Sequence, residues 1–317
     1  MVKVGIIGPG DVGQIHVPAL RAAGAEIVAI AGADEASAQG FARRWDVPRS
    51  IVGVDELVAL DIDAVVVTTP SPLHAQHALA AIAAGKHVLC EIPLSTDLEE
   101  AHRVVEAADE SEVLVMVAQT LRFCAPFARL RQLVVEGEIT IEHLVSRRLL
   151  LRQRDEGWSG NPREWTDSIL WHHAGHQLDL ALWLLGIDSD SARAAVDGRL
   201  GRRWEGNGEP MDLSIRVSAA DGRLATLALS YHSRIAAEDC IIITPDETFT
   251  VANGALLRNG EVFVEGDSDD DMKKRAIEAQ DAAFIAAVRG GQAASPSARE
   301  LIGLAAALSD IDAALPS

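Results

Sequence analysis

Gly8-Pro9-Gly10-Asp11-Val12-Gly13 follows the apolar run Val2–Ile7 without a gap and opens an Ala-rich stretch of helical spacing. A G-x-G-x-x-G turn in that context restricts the fold more than any other feature of the chain. The first glycine allows a tight turn, the second lets backbone approach a pyrophosphate, and the third lets helix pack on strand. The pyrophosphate would rest at the helix N-terminus, where free N–H groups and the dipole favour an anion. Dinucleotide binding is expected, with Gly8, Gly10, Asp11, Val12 and Gly13 as contacts. A glycine-rich turn without a ligand is the competing reading, and the pattern that follows weighs against it.

Val- and Ile-rich runs recur at Val2–Ile7, Ile27–Ala31, Ala64–Thr68, His87–Cys90 and Val113–Ala118. Helical stretches lie between them at Asp11–Ala23, Asp34–Trp45, Pro72–Ala84 and Asp97–Asp109. Continuous apolar strands alternating with helices predict a parallel sheet buried on both faces. After Gln119 the pattern changes. Helices are expected at Pro126–Glu136 and Asp167–Leu185, a strand at His143–Leu151, and an irregular loop at Arg152–Asn161. Strands then follow one another at Met211–Ser218, Leu224–Ser233, Cys240–Thr244, Thr248–Val251 and Glu261–Val264, with a hairpin signal at Asp221-Gly222. Helices at Met272–Arg289 and Ser297–Ala314 close the chain. The expected fold class is α/β: a Rossmann-type doubly wound parallel sheet over residues 1–120, then an α+β substrate and oligomerisation domain with an open, mostly antiparallel sheet over 121–317. A length of 317 residues suits two domains at roughly 150 residues each.

The net charge of −19 disfavours nucleic acid and anionic membrane surfaces as partners. No apolar run approaches the ~18 residues that span a bilayer. Three cysteines without a CxxC indicate neither a disulfide framework nor a zinc ribbon, which fits a reducing cytoplasm. The N-terminus lacks the basic and apolar regions of a signal peptide, so a cytoplasmic location is expected.

The second strand ends Ala31-Gly32-Ala33-Asp34. An acid here would bond ribose hydroxyls, whereas an arginine would meet a 2′-phosphate. No Lys or Arg follows, so Ala33 and Asp34 are expected at the coenzyme and the choice within NAD(P) leans to NAD. Asp34 alternatively caps the next helix. Thr69, Pro70 and His74 follow the end of a strand, where doubly wound sheets place ligands; His74 is otherwise a plain helix-start residue.

Thr69-Pro70-Ser71-Pro72-Leu73-His74, Cys90-Glu91-Ile92-Pro93, and His176-Gln177-Leu178-Asp179 ahead of Trp183-Leu184-Leu185-Gly186 join the glycine turn. Together they resemble the glucose–fructose oxidoreductase, inositol dehydrogenase and rhizopine catabolism (Gfo/Idh/MocA) family over essentially the whole chain. The resemblance implies an NAD(P)-dependent dehydrogenase acting on CH–OH groups, with Glu91 and Pro93 at the coenzyme and His176 at the active-site histidine position. Two positions depart from the family. Ile92 stands where it usually has the lysine that bonds the reacting hydroxyl, and His172 where it often has an acid. Pro162-Arg163-Glu164-Trp165-Thr166-Asp167, Leu170-Trp171-His172-His173-Ala174 and Met211-Asp212-Leu213-Ser214 resemble one branch of the family. That branch oxidises the cyclic hemiacetal of a carboxylated hydroxymuconate semialdehyde in aromatic catabolism. A sugar or cyclitol dehydrogenase and a non-catalytic dinucleotide-binding protein are the alternatives.

His172, His173 and His176 fall on one helix side at i,i+3 and i,i+4 spacing. They read as ordinary hydrogen-bonding histidines, as zinc ligands with Asp179, or as a proton-transfer site, and the last is favoured through the resemblance. No metal is expected. His176 is taken as the base, His173 as its fallback, His172 as a substrate contact, and Asp179 as an orienting group. Leu121–Trp165 holds eight arginines against six acids, a local excess of cation in an acidic chain. Arginine binds carboxylates bidentately, so Arg122, Arg152 and Arg163 are candidate contacts to a small carboxylated substrate, with Trp165 lining the pocket. An open sheet suggests a homo-oligomer, a dimer or tetramer.

Overall fold

The computed structural model describes residues 1–152, 168–187, 194–291 and 293–314. They form two compact units: Met1–Gln119 with Ile277–Ile302, and Thr120–Ala276 with Gly303–Ser317. Arg163 and Trp165, with most of the expected irregular loop, lie outside the described residues.

The first unit runs β1 (Val2–Ile7), α1 (Asp11–Ala22), β2 (Ala25–Gly32), α2 (Glu35–Trp45), β3 (Arg49–Val52), α3 (Val54–Val58), β4 (Ala64–Val67), α4 (His74–Ala83), β5 (His87–Cys90), α5 (Leu98–Ser111) and β6 (Val115–Val117). All its strands are parallel, in the order β3-β2-β1-β4-β5-β6. The order reverses between β1 and β4, the switch point of a doubly wound sheet. Strand β4 is legible in the sequence because every residue of its Ala-Val-Val-Val run is buried. β3 leaves no such signal because it is a mostly exposed edge strand of mixed composition, and α3 has only five residues.

The segment Ile277–Ile302 belongs with this unit, against the expectation that everything beyond residue 120 forms one domain. Val117 N donates to Pro296 O and Ala298 N to Val115 O, so this return segment covers the open edge of β6. Arg289 also donates to the carbonyls of Ala23 and Gly24 at the end of α1.

The second unit contains α6 (Ala125–Val135), β7 (His143–Leu151), α7 (Gly175–Leu184), β8 (Ala194–Leu200), β9 (Asp212–Ala219), β10 (Leu224–Ser230), β11 (His232–Ile243), β12 (Thr248–Ala252), β13 (Ala255–Arg258) and β14 (Glu261–Val264). Helix α8 (Asp269–Val288) leads back to the first unit and α9 (Ile302–Ala313) ends the described chain. The eight strands are ordered β14-β13-β12-β11-β7-β10-β9-β8 and antiparallel except for the β7–β10 pair. Burial alternates along β9 and β10, which sets one sheet face toward the core.

The expected strand Leu224–Ser233 is two strands broken at Tyr231, and β11 is far longer than Cys240–Thr244. Its first half, His-Ser-Arg-Ile-Ala-Ala-Glu-Asp, has no apolar alternation, so its pairing with β7 leaves no local mark. β8 is likewise unreadable around Asp197-Gly198; a Cβ at Gly198 would stand 2.6 Å from the Ile311 side chain of α9.

Candidate active site

Each glycine of the first turn has a distinct geometric reason. Gly8 has φ +113, and a Cβ there would lie 2.7 Å from the Thr68 carbonyl. A Cβ on Gly13 would lie 2.4 Å from Gly8 O. Gly10 is different: nothing stands within 4 Å of where its Cβ would be. It is the N-cap of α1 and gives no side-chain cap. An open cradle at an uncapped helix N-terminus, beside Asp11 and Val12, fits a dinucleotide pyrophosphate.

At the end of β2, Asp34 is exposed and accepts from Ser37 N and Ser37 Oγ, both at 2.9 Å. These bonds hold its carboxyl below the usual range and make it the N-cap of α2. The capping reading therefore holds; Ala33 beside it is exposed and no cation follows before Arg43. His74 does not reach outward as a coenzyme contact would. It is buried, with Nε2 2.6 Å from Thr69 O and Nδ1 2.6 Å from Pro93 O. It shapes the site through Thr69 and Pro93. Thr69 Oγ1 in turn meets His77 Nδ1 at 3.0 Å, next to Pro70.

Glu91 Oε1 lies 3.0 Å from Nε2 of His16, whose Nδ1 lies 2.9 Å from Asp281 Oδ2. Burial alone would lower the His16 pKa, but Asp281 and Glu91 outweigh it and push it up to about 10. The sequence assigned His16 no role. Its position three residues after Gly13, on the face of α1 that packs inward, was the one available signal.

In the second unit the histidine helix begins with a π turn, Leu170–Ala174, before α7. Such one-turn widenings recur at functional sites. Here it sets His172 and His173 side by side, their rings stacked 4.1 Å apart at 14°. Arg152 Nη1 lies 2.5 Å from His172 Nδ1 and 3.2 Å from the Tyr231 hydroxyl, which lies 2.8 Å from His173 Nδ1.

The protons follow from these contacts. A guanidinium only donates, so His172 Nδ1 accepts from Arg152. Tyr231 O accepts from Arg152 as well and meets His173 Nδ1, and His172 carries its hydrogen on Nε2. Burial, then the charges of Arg148, His172, Arg152 and His176, hold His173 well below the usual imidazole range, so it stays neutral. Arg148 pairs with Glu238, yet its Nε is buried with no hydrogen-bond partner among the described residues, as is Ser168 Oγ just ahead of the π turn.

Arg122, expected to meet substrate, and Asp179, expected to orient the site, pair with each other. Arg122 Nε lies 2.8 Å from Asp179 Oδ2 and Nη2 2.6 Å from Oδ1, in a buried bidentate pair. Burial outweighs the guanidinium and raises the Asp179 carboxyl. Tyr231, the chain's single tyrosine, is the group that sequence reasoning missed. It sits in a strand run whose break is invisible locally.

Residues 2–119 match the model of the Gfo/Idh/MocA oxidoreductase family with an NAD-binding Rossmann fold. Residues 127–260 match that of the bacterial oxidoreductase C-terminal domain. The chain belongs to the Gfo/Idh/MocA oxidoreductase family. It is an enzyme, an NAD-dependent dehydrogenase. It is 29% identical over 318 residues to 4-carboxy-2-hydroxymuconate-6-semialdehyde dehydrogenase of Sphingobium sp. SYK-6, covering 99% of both chains. It is 35% identical over 211 residues to inositol 2-dehydrogenase 3 of Saccharopolyspora erythraea, covering 64% of this chain and 60% of that one. An Agrobacterium radiobacter oxidoreductase solved with NAD+, L-tartaric acid and magnesium shares the fold at TM-score 0.86 and 17% identity, over 99% of this chain and 96% of that one. Levoglucosan dehydrogenase in complex with NADH does so at 0.83 and 22%, over 98% and 97%. Among the described residues no group of three His, Cys, Asp or Glu is placed to hold a metal ion, and no helix is long and apolar enough to cross a membrane.

Proposed function

We propose that the enzyme oxidises a hydroxyl or cyclic hemiacetal carbon of a small carboxylated ring, with His176 as the general base. The observation that carries this reading is the donor array of the second unit. Arg152 donates to His172 and to Tyr231 beside His173, and Arg148 Nε is a buried donor without a partner among the described residues. Such an array suits an anionic oxygen-rich group better than a neutral polyol, because hydrogen bonds to a carboxylate are the stronger kind. The full-length similarity to a hydroxymuconate semialdehyde dehydrogenase supports the same class.

When bound, NAD accepts the hydride. The chain must then take the hydroxyl proton. Ile92 has no proton acceptor. His172 Nδ1 accepts from Arg152, and His173 is held well below the usual imidazole range, which makes it a weak base. Asp179 is held by Arg122. Burial drives the thiols of Cys124 and Cys240 up, to about 12 for Cys124, which removes them as acceptors. We assign the proton to His176, on the first turn of α7 and at the family's histidine position.

The reading extends to aromatic catabolism in the cytoplasm, NAD in preference to NADP, and a homo-oligomer built on the open sheet. The test is oxidation of carboxylated cyclic hemiacetals against inositol and neutral sugars, followed as NADH formed. Preference for the carboxylated substrates is expected. Preference for a polyol would favour a cyclitol dehydrogenase, and NAD binding without turnover of any substrate a non-catalytic role.

A further inference from the structure

The turn Glu91-Ile92-Pro93, which leaves β5, is gripped on both sides by buried histidines of its own unit. His16 on α1 holds the Glu91 carboxylate at 3.0 Å and, with its other nitrogen, Asp281 on α8 at 2.9 Å. His74, the first residue of α4, holds Pro93 O and Thr69 O, each at 2.6 Å. All four partners are carboxylates or carbonyls, which only accept. Each ring thus bridges two oxygens through its two nitrogens.

Burying a polar ring is costly unless it is hydrogen-bonded. An aliphatic side chain would fill the same space without that cost, so packing does not account for two such rings on one three-residue turn. Their partners have something else in common. Thr69 follows β4 and Pro93 follows β5, neighbouring strands beside the switch point, and ligands of doubly wound sheets lie beyond those strand ends. With isoleucine at position 92, the one long polar side chain of the turn is that of Glu91, which His16 holds. The shape of the turn depends on what holds the residues on either side.

We propose that His16 and His74 are positioning residues of the coenzyme site, which lock the Glu91-Ile92-Pro93 turn beside Thr69 in the shape that receives the nicotinamide end of the dinucleotide. This rests on the reading of the turn as part of that site. His16 acts through Glu91 and is itself tied to the return segment by Asp281; His74 acts through two backbone carbonyls.

The test compares NADH with ADP-ribose, which lacks the nicotinamide end, by fluorescence and calorimetric titration. In His74→Leu, the NADH dissociation constant should rise about tenfold while that for ADP-ribose stays within about twofold, and His74→Gln, which keeps one donor, should fall between. His16→Gln should show the same selectivity. Equal weakening of both ligands, or of neither, in a folded variant overturns the proposal, since a merely structural role would not distinguish them. Should the variants not fold, hydrogen exchange of the Glu91 and Ile92 amides in the unaltered chain decides it. Protection by NADH but not by ADP-ribose is expected, and equal protection overturns the proposal. If the unaltered chain binds NADH no more tightly than ADP-ribose, the placement of the turn in the coenzyme site is what fails.

Discussion

The phenol of Tyr231 stands 2.8 Å from Nδ1 of His173, and their rings meet edge to face. That contact ties His173 to a phenol that Arg152 also holds. Because Arg152 lies over the Tyr231 ring and also donates to His172, all four side chains form one hydrogen-bonded set.

Tyr231→Phe removes the donor and leaves His173 Nδ1 buried without it, a loss of ~1–3 kcal/mol. Turnover should fall about tenfold to a hundredfold, with KM for a carboxylated substrate raised, while the NADH dissociation constant is unchanged. Steady-state kinetics beside a coenzyme titration checks this; unaltered kinetics would show that the tautomer of His173 carries no function.

His176→Ala should reduce kcat by about two to four orders of magnitude. The acidic limb of the pH profile should disappear with it. His173→Ala, by contrast, should act mainly on KM. A nearly intact kcat in His176→Ala, with His173→Ala inactive, would transfer the base to His173.

His16 has a folded-state pKa of about 10, above its ordinary value of 6.5. A raised pKa means that its contribution is complete below about pH 6.5 and is lost as pH climbs toward 10. Unfolding free energy should decline through that window, by on the order of a few kcal/mol. Urea unfolding across the range measures it. Asp281→Asn should flatten the decline, and an equal slope in that variant would rule out the His16–Asp281 pair as its source.

The end of β2 should prefer NAD, because Asp34 repels a 2′-phosphate and no cation stands near it in the sequence. NADP is expected to bind about tenfold more weakly, and Ala33→Arg to narrow that gap. Parallel titrations of both coenzymes decide it, and tight NADP binding by the unaltered chain would refute the assignment.

The first sheet was legible because its inner strands are buried on both faces over most of their length and so read as apolar runs, most fully in Ala64–Val67. The glycine turn was legible because backbone sterics at Gly8 and Gly13 admit no other residue type. These are local constraints, written into a few adjacent positions. The histidine helix was recognisable from its residues, but not the π turn that stacks His172 on His173.

What the sequence alone determined is thus the doubly wound half, the dinucleotide turn, the family and the three histidines. Only the tertiary structure decided which nitrogens hold protons and which charges cancel. His16 meets Asp281 across 265 positions, Arg122 meets Asp179 across 57, and Tyr231 meets His173 across 58. Periodicity and turn chemistry act over a few residues, whereas a hydrogen-bond partner is chosen by where the folded chain brings distant side chains together. A histidine's residue type sets what it can do; its partner at Nδ1 sets what it does.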